Sequence, residues 1–185
     1  MHPRPDERHV RYSDVPALKA IVTTEFNIEG NPIDQFMQLV LAHPPHQCTL
    51  VPDSPDQLTS DHGWDTAKHY DFLKDTIDQL HDKNIRVSIF VDAEEKFVEG
   101  AKKVGADRIE FYTGHYARQY AVDPAKAVAS HARCAKLAND IGIGINAGHD
   151  LNLDNLKYYA NEVEGLLEVS IGHALIADAL YHGLE

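Results

Sequence analysis

Six short apolar stretches alternate with longer amphipathic stretches along the chain, and this alternation limits the fold more than any other feature. The apolar stretches are predicted strands, at Glu25–Glu29, Gln47–Val51, Arg86–Val91, Arg108–Tyr112, Ile143–Asn146 and Leu167–Ser170. The segments between them are predicted helices, at Pro32–Ala42, Ala67–Lys83, Glu94–Val104, Pro124–Ile141, Leu153–Asn161 and His173–Gly183, with a weaker one near Asp14–Val22. This pattern is typical of α/β proteins whose parallel strands are buried on both faces.

Six βα units in a row favour a (β/α)8 TIM barrel, and an open doubly wound sheet is the structural alternative. A closed barrel has eight strands and typically about 250 residues, whereas this chain has 185. The polar segment Met1–His9 has the character of a loop that follows a strand. We therefore expect one domain over residues 1–185, a TIM barrel truncated to about six βα units and incomplete at its N-terminus.

The irregular stretches Pro52–Asp65 and Thr113–Asp123 are predicted loops after strands, and loops of that size usually carry function. The formal net charge of −12 argues against nucleic acid or an anionic membrane as a partner. No apolar run approaches the roughly 18 residues of a membrane span. Because Cys48 and Cys134 are isolated and the N-terminus is polar, a cytoplasmic protein is expected.

Two carboxylates on predicted strands are candidates for acid–base chemistry, because the carboxyl ends of barrel strands form the active site. The period of two puts Glu29 on one face with Glu25 and Asn27. Burial there would raise the pKa of Glu29 and suit it to act as a general base, although an ion pair at the strand end explains it equally well. Glu110 stands between Ile109 and Phe111 and faces the other way, where a carboxylate must be used or paired.

Glycine–histidine pairs end two predicted strands. Gly148-His149 follows the fifth strand and Gly172-His173 follows the sixth, where bare backbone N–H groups and a helix N-terminus suit an anion. An ordinary loop and a simple capping turn are the alternatives. Other polar residues at strand ends, without an assigned role, are Asp92, Tyr112, Thr113, Asn146 and Ser170.

The N-terminal segment carries a dense set of cationic or titratable groups, which form either a solvated loop or a local phosphate clamp. These groups are His2, Arg4, Arg8 and His9. Divalent metal binding ranks lower, because no H-x-H or H-x-x-x-H pair is present. Seven other histidines are expected in loops or on helix surfaces without a role: His43, His46, His62, His69, His81, His131 and His182.

Seven stretches, in order over nearly the whole chain, resemble the pyridoxine 5′-phosphate synthase family. They are His2–His9, Glu25–Gly30, Thr49–Asp53, Arg86–Asp92, Asp107–Gly114, Ile145–Asn152 and Ile171–Ile176. The resemblance implies a (β/α)8 barrel that condenses 1-deoxy-D-xylulose 5-phosphate with 3-amino-2-oxopropyl phosphate. The products are pyridoxine 5′-phosphate, inorganic phosphate and water. It also implies a homo-octamer and no metal or organic cofactor.

The same resemblance implies roles for individual residues. His2 and Glu29 would accept protons, and His149 would donate one. The xylulose phosphate would be bound by Arg4, His9 and Thr59. The aminoketone phosphate would be held by Asp150, Gly172 and His173, and Glu110 would be a further active-site carboxylate.

The chain departs from the family pattern in two places. A leading strand with Asn-x-Asp-His, a helix with a phosphate-binding arginine and a second strand do not occur in it, and many members have glycine where Asp150 stands. We therefore expect the 185 residues alone to be poorly active. The competing interpretations are a metal-dependent sugar-phosphate isomerase or aldolase barrel, and an inactive remnant with a binding or assembly role.

Overall fold

Six parallel strands form one sheet in which neighbours along the chain are also neighbours in space. The computed structural model describes residues 1–54 and 57–183. The strands are β1 (Asn27–Gly30), β2 (Gln47–Leu50), β3 (Arg86–Val91), β4 (Arg108–Tyr112), β5 (Gly144–Gly148) and β6 (Leu166–Ser170). This order excludes the doubly wound alternative, whose strand order reverses at a switch point, and it confirms the truncated barrel.

Helices follow the strands as the alternation predicted. They are α1 (Val15–Ile21), α2 (Asp34–Ala42), α3 (Tyr70–His81), α4 (Glu95–Lys103), α5 (Gly114–Tyr120), α6 (Pro124–Ile141), α7 (Leu156–Glu162) and α8 (His173–His182), with a 3-10 turn at Tyr12–Asp14. Helix α6 has the predicted bounds, because Asp123 accepts a hydrogen bond from the Lys126 N–H at its start and Gly142 adopts a left-handed φ of 68° at its end. No helix among the described residues has the length and apolar character needed to cross a bilayer.

Helix α5 and His131 correct two expectations. The stretch from Thr113 to Asp123 was predicted to be irregular, yet most of it is helical because buried Tyr116 packs on Tyr159 with ring centroids 4.9 Å apart. His131 was expected on a helix surface, but it is only 3% exposed and its Nδ1 lies 2.9 Å from the Tyr159 hydroxyl. Burial lowers the pKa of His131 to about 4, so its imidazole is neutral.

The two faces of the sheet differ in chemistry. The outward face is apolar and packs against the helices through residues such as Ile28, Leu50, Ile89, Ile109 and Ile145. The inward face carries mostly polar and charged side chains at the alternate positions, apart from Phe90 and Tyr112. The polar ones are Asn27, Glu29, Gln47, Thr49, Arg86, Ser88, Arg108, Glu110, Asn146 and Glu168. Because successive side chains of a strand point to opposite faces, the core and the candidate site lie on opposite faces of the sheet.

The sheet curls so that its inward face becomes concave. Gln47 of β2 donates a hydrogen bond from Nε2 to Glu168 Oε2 of β6 over 3.5 Å, although three strands lie between them in the sheet. A flat sheet would keep these side chains more than 15 Å apart, at about 4.8 Å per strand. Because the sheet curls, the carboxyl ends of β1 to β6 lie along the rim of one concave face.

Leu50→Ala and Leu167→Ala test which part of the outward face is core. Leu50 on β2 is fully buried, whereas Leu167 on β6 is 57% exposed. We expect Leu50→Ala to lower the free energy of unfolding by about 2–5 kcal/mol and Leu167→Ala to lower it by about 1 kcal/mol or less. Urea denaturation measures both, and equal losses would contradict the described packing.

Candidate active site

His2 and Glu29 form a pair because the chain around Met1 runs beside β1 as a parallel strand would. The Met1 nitrogen donates to the Asn27 carbonyl and the Glu29 N–H donates to the Met1 carbonyl, each over 2.8 Å. This register brings the Nδ1 atom of His2 to 3.1 Å from Glu29 Oε1. The candidate site therefore contains an imidazole–carboxylate pair at the carboxyl end of β1.

The pKa of Glu29 corrects the expectation that burial would raise it. Burial does act in that direction, but the hydrogen bond from His2 and the positive charges of His2, of the Met1 amino group and of Arg4 outweigh it and lower the pKa. Glu29 is therefore a carboxylate at neutral pH. Glu25, on the same strand face in the sequence prediction, is exposed and pairs with Arg86 instead.

Glu110 has the opposite protonation state. Its side chain is on the inward face, as predicted, and the residue is 2% exposed. Burial raises its pKa to about 8, and the negative charge of Glu29 acts in the same direction. A hydrogen bond with Ser170 partly offsets this rise. A Cβ on Gly148 would come within 2.2 Å of Glu110 Oε1, so a larger residue at position 148 would displace the Glu110 carboxyl group.

His149 lies on a strained turn at the end of β5. Its φ is 90° and that of Asp150 is 58°, a region that residues with side chains seldom occupy. The turn brings His149 Nε2 to 2.7 Å from the Thr59 hydroxyl and Nδ1 to 3.0 Å from Asp150 Oδ2. The Tyr112 ring packs edge-on against the imidazole, with centroids 5.1 Å apart. Three of the predicted site residues thus meet here.

Two arginines of the N-terminal segment hold the loop that carries Thr59. Arg4 pairs with Asp53 over 3.1 Å and donates to the Gln57 carbonyl, while Arg8 donates to the carbonyls of Gln57 and Leu58. The Asp53 carboxylate also accepts a hydrogen bond from Ser60. Asp53 was not among the predicted site residues, although it lies in the loop that begins after β2, at the carboxyl end of the sheet.

The Gly172-His173 pair begins helix α8, as predicted. A Cβ on Gly172 would meet no other atom within 4 Å, so the backbone there faces open space. The His173 ring lies 6.4 Å from that of His9, which connects this turn to the N-terminal segment. Exposed N–H groups at the start of a ten-residue helix suit a phosphate or carboxylate.

The predicted site residues therefore fall into linked groups at the carboxyl ends of the strands. His2, Glu29 and Glu110 form one group, Thr59, His149 and Asp150 form another, and His9 with His173 form a third, while Arg4 is engaged by Asp53. Within the described part of the chain, no three His, Cys, Asp or Glu side chains come together as metal ligands. The arrangement can accept a proton at one carboxyl group, donate one from another and hold anionic groups beside both.

These features define the class: a parallel β/α-barrel protein with acid–base groups at the carboxyl ends of its strands. The model of the family "Pyridoxal phosphate biosynthesis protein PdxJ" matches residues 1–185, and the chain belongs to this family. Relatives named pyridoxine 5′-phosphate synthase are 55% identical in Christiangramia forsetii and Flavobacterium johnsoniae and 56% in Porphyromonas gingivalis. Each match covers the whole chain and 78% of the relative.

Solved structures support the fold independently of sequence. An HpcH/Hpal aldolase/citrate lyase family protein from Burkholderia cenocepacia aligns with a TM-score of 0.55 at 15% identity, over all of this chain and 82% of its own. The putative copper homeostasis protein CutC from Streptococcus agalactiae gives 0.53 at 13%, over 86% of this chain and 80% of its own. At such identities the likeness concerns the fold alone.

Glu110→Gln tests the buried neutral carboxyl through the pH dependence of stability. Between pH 4.5 and about 8 the folded chain keeps the Glu110 proton that the unfolded chain releases. This group therefore lowers the wild-type free energy of unfolding by about 1.4 kcal/mol per pH unit across that window. We expect the free energy of unfolding of Glu110→Gln minus that of the wild type to increase between pH 5 and 8 and to stay constant at higher pH.

Chemical denaturation at a series of pH values measures this difference. Glu162→Gln is the matched control, because Glu162 is exposed at the end of α7 and its replacement should give a difference from wild type that does not change with pH. A constant difference for Glu110→Gln as well would show that Glu110 is ionised in the folded protein.

Proposed function

We propose that this chain is a pyridoxine 5′-phosphate synthase, which condenses 1-deoxy-D-xylulose 5-phosphate with 3-amino-2-oxopropyl phosphate. The products are pyridoxine 5′-phosphate, inorganic phosphate and water. The proposal rests on membership of the family and on one structural observation: Glu29 and Glu110 lie on the same concave face, where cationic groups lower the pKa of Glu29 and burial raises that of Glu110 to about 8. Two carboxyl groups whose surroundings push their pKa values apart are typical of acid–base catalysis.

Condensation of an amine with a ketone, followed by loss of water and phosphate, requires several proton transfers. His2 and Glu29, which lie 3.1 Å apart, are the proton acceptors in this proposal. His149 is the proton donor, and the Thr59 hydroxyl 2.7 Å away orients its ring. The neutral Glu110 carboxyl donates a hydrogen bond to oxygen atoms that gain negative charge.

The two substrates are held by separate groups in this proposal. Arg4, His9 and Thr59 bind the xylulose phosphate, with Asp53 fixing the guanidinium of Arg4 in place. The N–H groups at Gly172 and His173 bind the aminoketone phosphate. At Asp150 the contact is assigned to the backbone, because its carboxylate would repel a phosphate. These local donors must overcome the net charge of −12.

The wider properties of the protein follow from the same assignment. Residues 1–185 act as one domain, which assembles into a homo-octamer in the cytoplasm and needs no metal or organic cofactor. The two free cysteines, Cys48 and Cys134, are both buried and suit a reducing compartment. The net charge of −12 argues against nucleic acid or an anionic membrane as a partner.

Turnover of both substrates by the purified protein, measured by chromatography of the product and by phosphate release, tests the proposed function. Formation of pyridoxine 5′-phosphate that survives a chelator supports it. Loss of turnover with the chelator would favour the metal-dependent barrel, and binding of both substrates without turnover would favour the inactive remnant.

Glu29→Gln tests the proposed base. We expect it to lower kcat by about 10²–10⁴-fold, the usual contribution of a general base. Glu25→Gln is the matched control, because Glu25 precedes the same strand but pairs with Arg86 away from the site, and it should keep its activity. Comparable kcat values for Glu29→Gln and wild type would remove Glu29 from the mechanism.

A further inference from the structure

The strained turn at His149 needs an anchor, because two successive residues with side chains occupy the left-handed region. Such a conformation persists only where the surrounding contacts hold it. The position of the turn matters for the proposed function, since His149 is the proton donor in the proposed reaction. The contacts of the turn therefore indicate which residues set the direction of the imidazole.

Thr113 makes the contacts closest to His149. It is fully buried, and it immediately follows β4. Its N–H donates to the Gly148 carbonyl over 2.9 Å, and its hydroxyl lies 2.7 Å from the same oxygen. The single hydroxyl hydrogen is shared between this oxygen and the carbonyl oxygen of His149 itself. One side chain thus fixes the peptide groups on both sides of the histidine Cα.

The far side of the turn is held in a similar way by Asn155, which is also buried. Its Nδ2 donates to the Asp150 carbonyl over 3.1 Å, and its Oδ1 accepts from the Asn152 N–H. The Tyr116 hydroxyl donates to the Asn155 carbonyl over 2.7 Å. Because Tyr116 and Thr113 flank the start of α5, this helix braces the His149 turn from both ends.

We propose that Thr113 is a positioning residue for His149, which holds the backbone of the turn so that the imidazole meets Thr59. The expected loss of activity rests on the proposed function, whereas the expected change in the backbone of the turn does not. Without the hydroxyl, the peptide after His149 can relax toward a right-handed conformation and the ring leaves Thr59. Substrate binding through the other turns would remain, so the loss should fall on kcat.

Thr113→Val replaces the hydroxyl with a methyl group of similar size, whereas Thr113→Ser keeps the hydroxyl. We expect Thr113→Val to lower kcat by about 10- to 100-fold, as displacement of a reacting group does, with little change in KM, and Thr113→Ser to recover most of the activity. Thr76→Val is the matched control, because Thr76 is also buried and donates to the Phe72 carbonyl in α3, away from the site.

The ¹⁵N resonances of the His149 ring, assigned with His149→Gln, provide a readout independent of turnover. They should shift in Thr113→Val and stay in place in Thr113→Ser and Thr76→Val. Unchanged His149 resonances in Thr113→Val would overturn the proposal. If Thr113→Val does not fold, Thr113→Cys, whose thiol is a weak donor, should show a smaller shift of the same sign, and no shift would again refute it.

Failure of the proposed function gives a different result. In that case the wild-type protein would form no pyridoxine 5′-phosphate, while the His149 resonances would still respond to Thr113→Val. Positioning by Thr113 and the identity of the reaction are therefore decided by separate measurements.

Discussion

Polar side chains on the concave face of the sheet are the constraint on which the rest of the structure depends. Buried charges are costly unless they are paired, and at the amino ends of the strands they are paired. Arg108 contacts Glu168 and donates to Asn146, and Arg86 donates to Gln47 and contacts Glu25. At the carboxyl ends the balance differs, because no cationic side chain of the described residues forms an ion pair with Glu110, and burial raises its pKa to about 8.

This division along the strands separates stability from chemistry. The paired layer near the amino ends holds the curl of the sheet, as the contact between Gln47 and Glu168 shows. The carboxyl ends then receive groups from outside the sheet. His2 arrives through the backbone pairing of Met1 with β1, and Thr59 arrives through a loop held by Arg4 and Arg8. The site is therefore assembled from segments far apart in sequence on a scaffold that is already charge-balanced.

Much of this could be read from the sequence, because the signals are local. The strand positions, the bounds of α6 and the inward direction of Glu110 follow from periodicity and from capping residues. The direction of the Glu29 pKa shift could not be predicted, since it depends on His2, the Met1 amino group and Arg4, which lie more than 20 residues away in the sequence. The fold and the inward direction of Glu110 were thus accessible from the sequence, and the direction of the Glu29 pKa shift was not.

Helix α5 shows the same limit for secondary structure. Its sequence, Gly114–Tyr120, starts with glycine and has no apolar stripe, so local propensity is weak. The helix forms because Tyr116 packs on Tyr159 and the Tyr116 hydroxyl reaches the Asn155 carbonyl. The buried His131 belongs to the same aromatic cluster. Both errors arise from packing between distant segments, which a local pattern does not contain.

The opposite protonation states of Glu29 and Glu110 are coupled rather than independent. The negative charge of Glu29 helps to raise the pKa of Glu110. A proton accepted by Glu29 removes that charge, and the pKa of Glu110 must then fall. In the proposed reaction, acceptance of a proton at one carboxyl group therefore makes the other a stronger acid at the moment when water or phosphate has to leave. Burial strengthens this coupling, because the charge of Glu29 is less screened in a low-dielectric surrounding than in water.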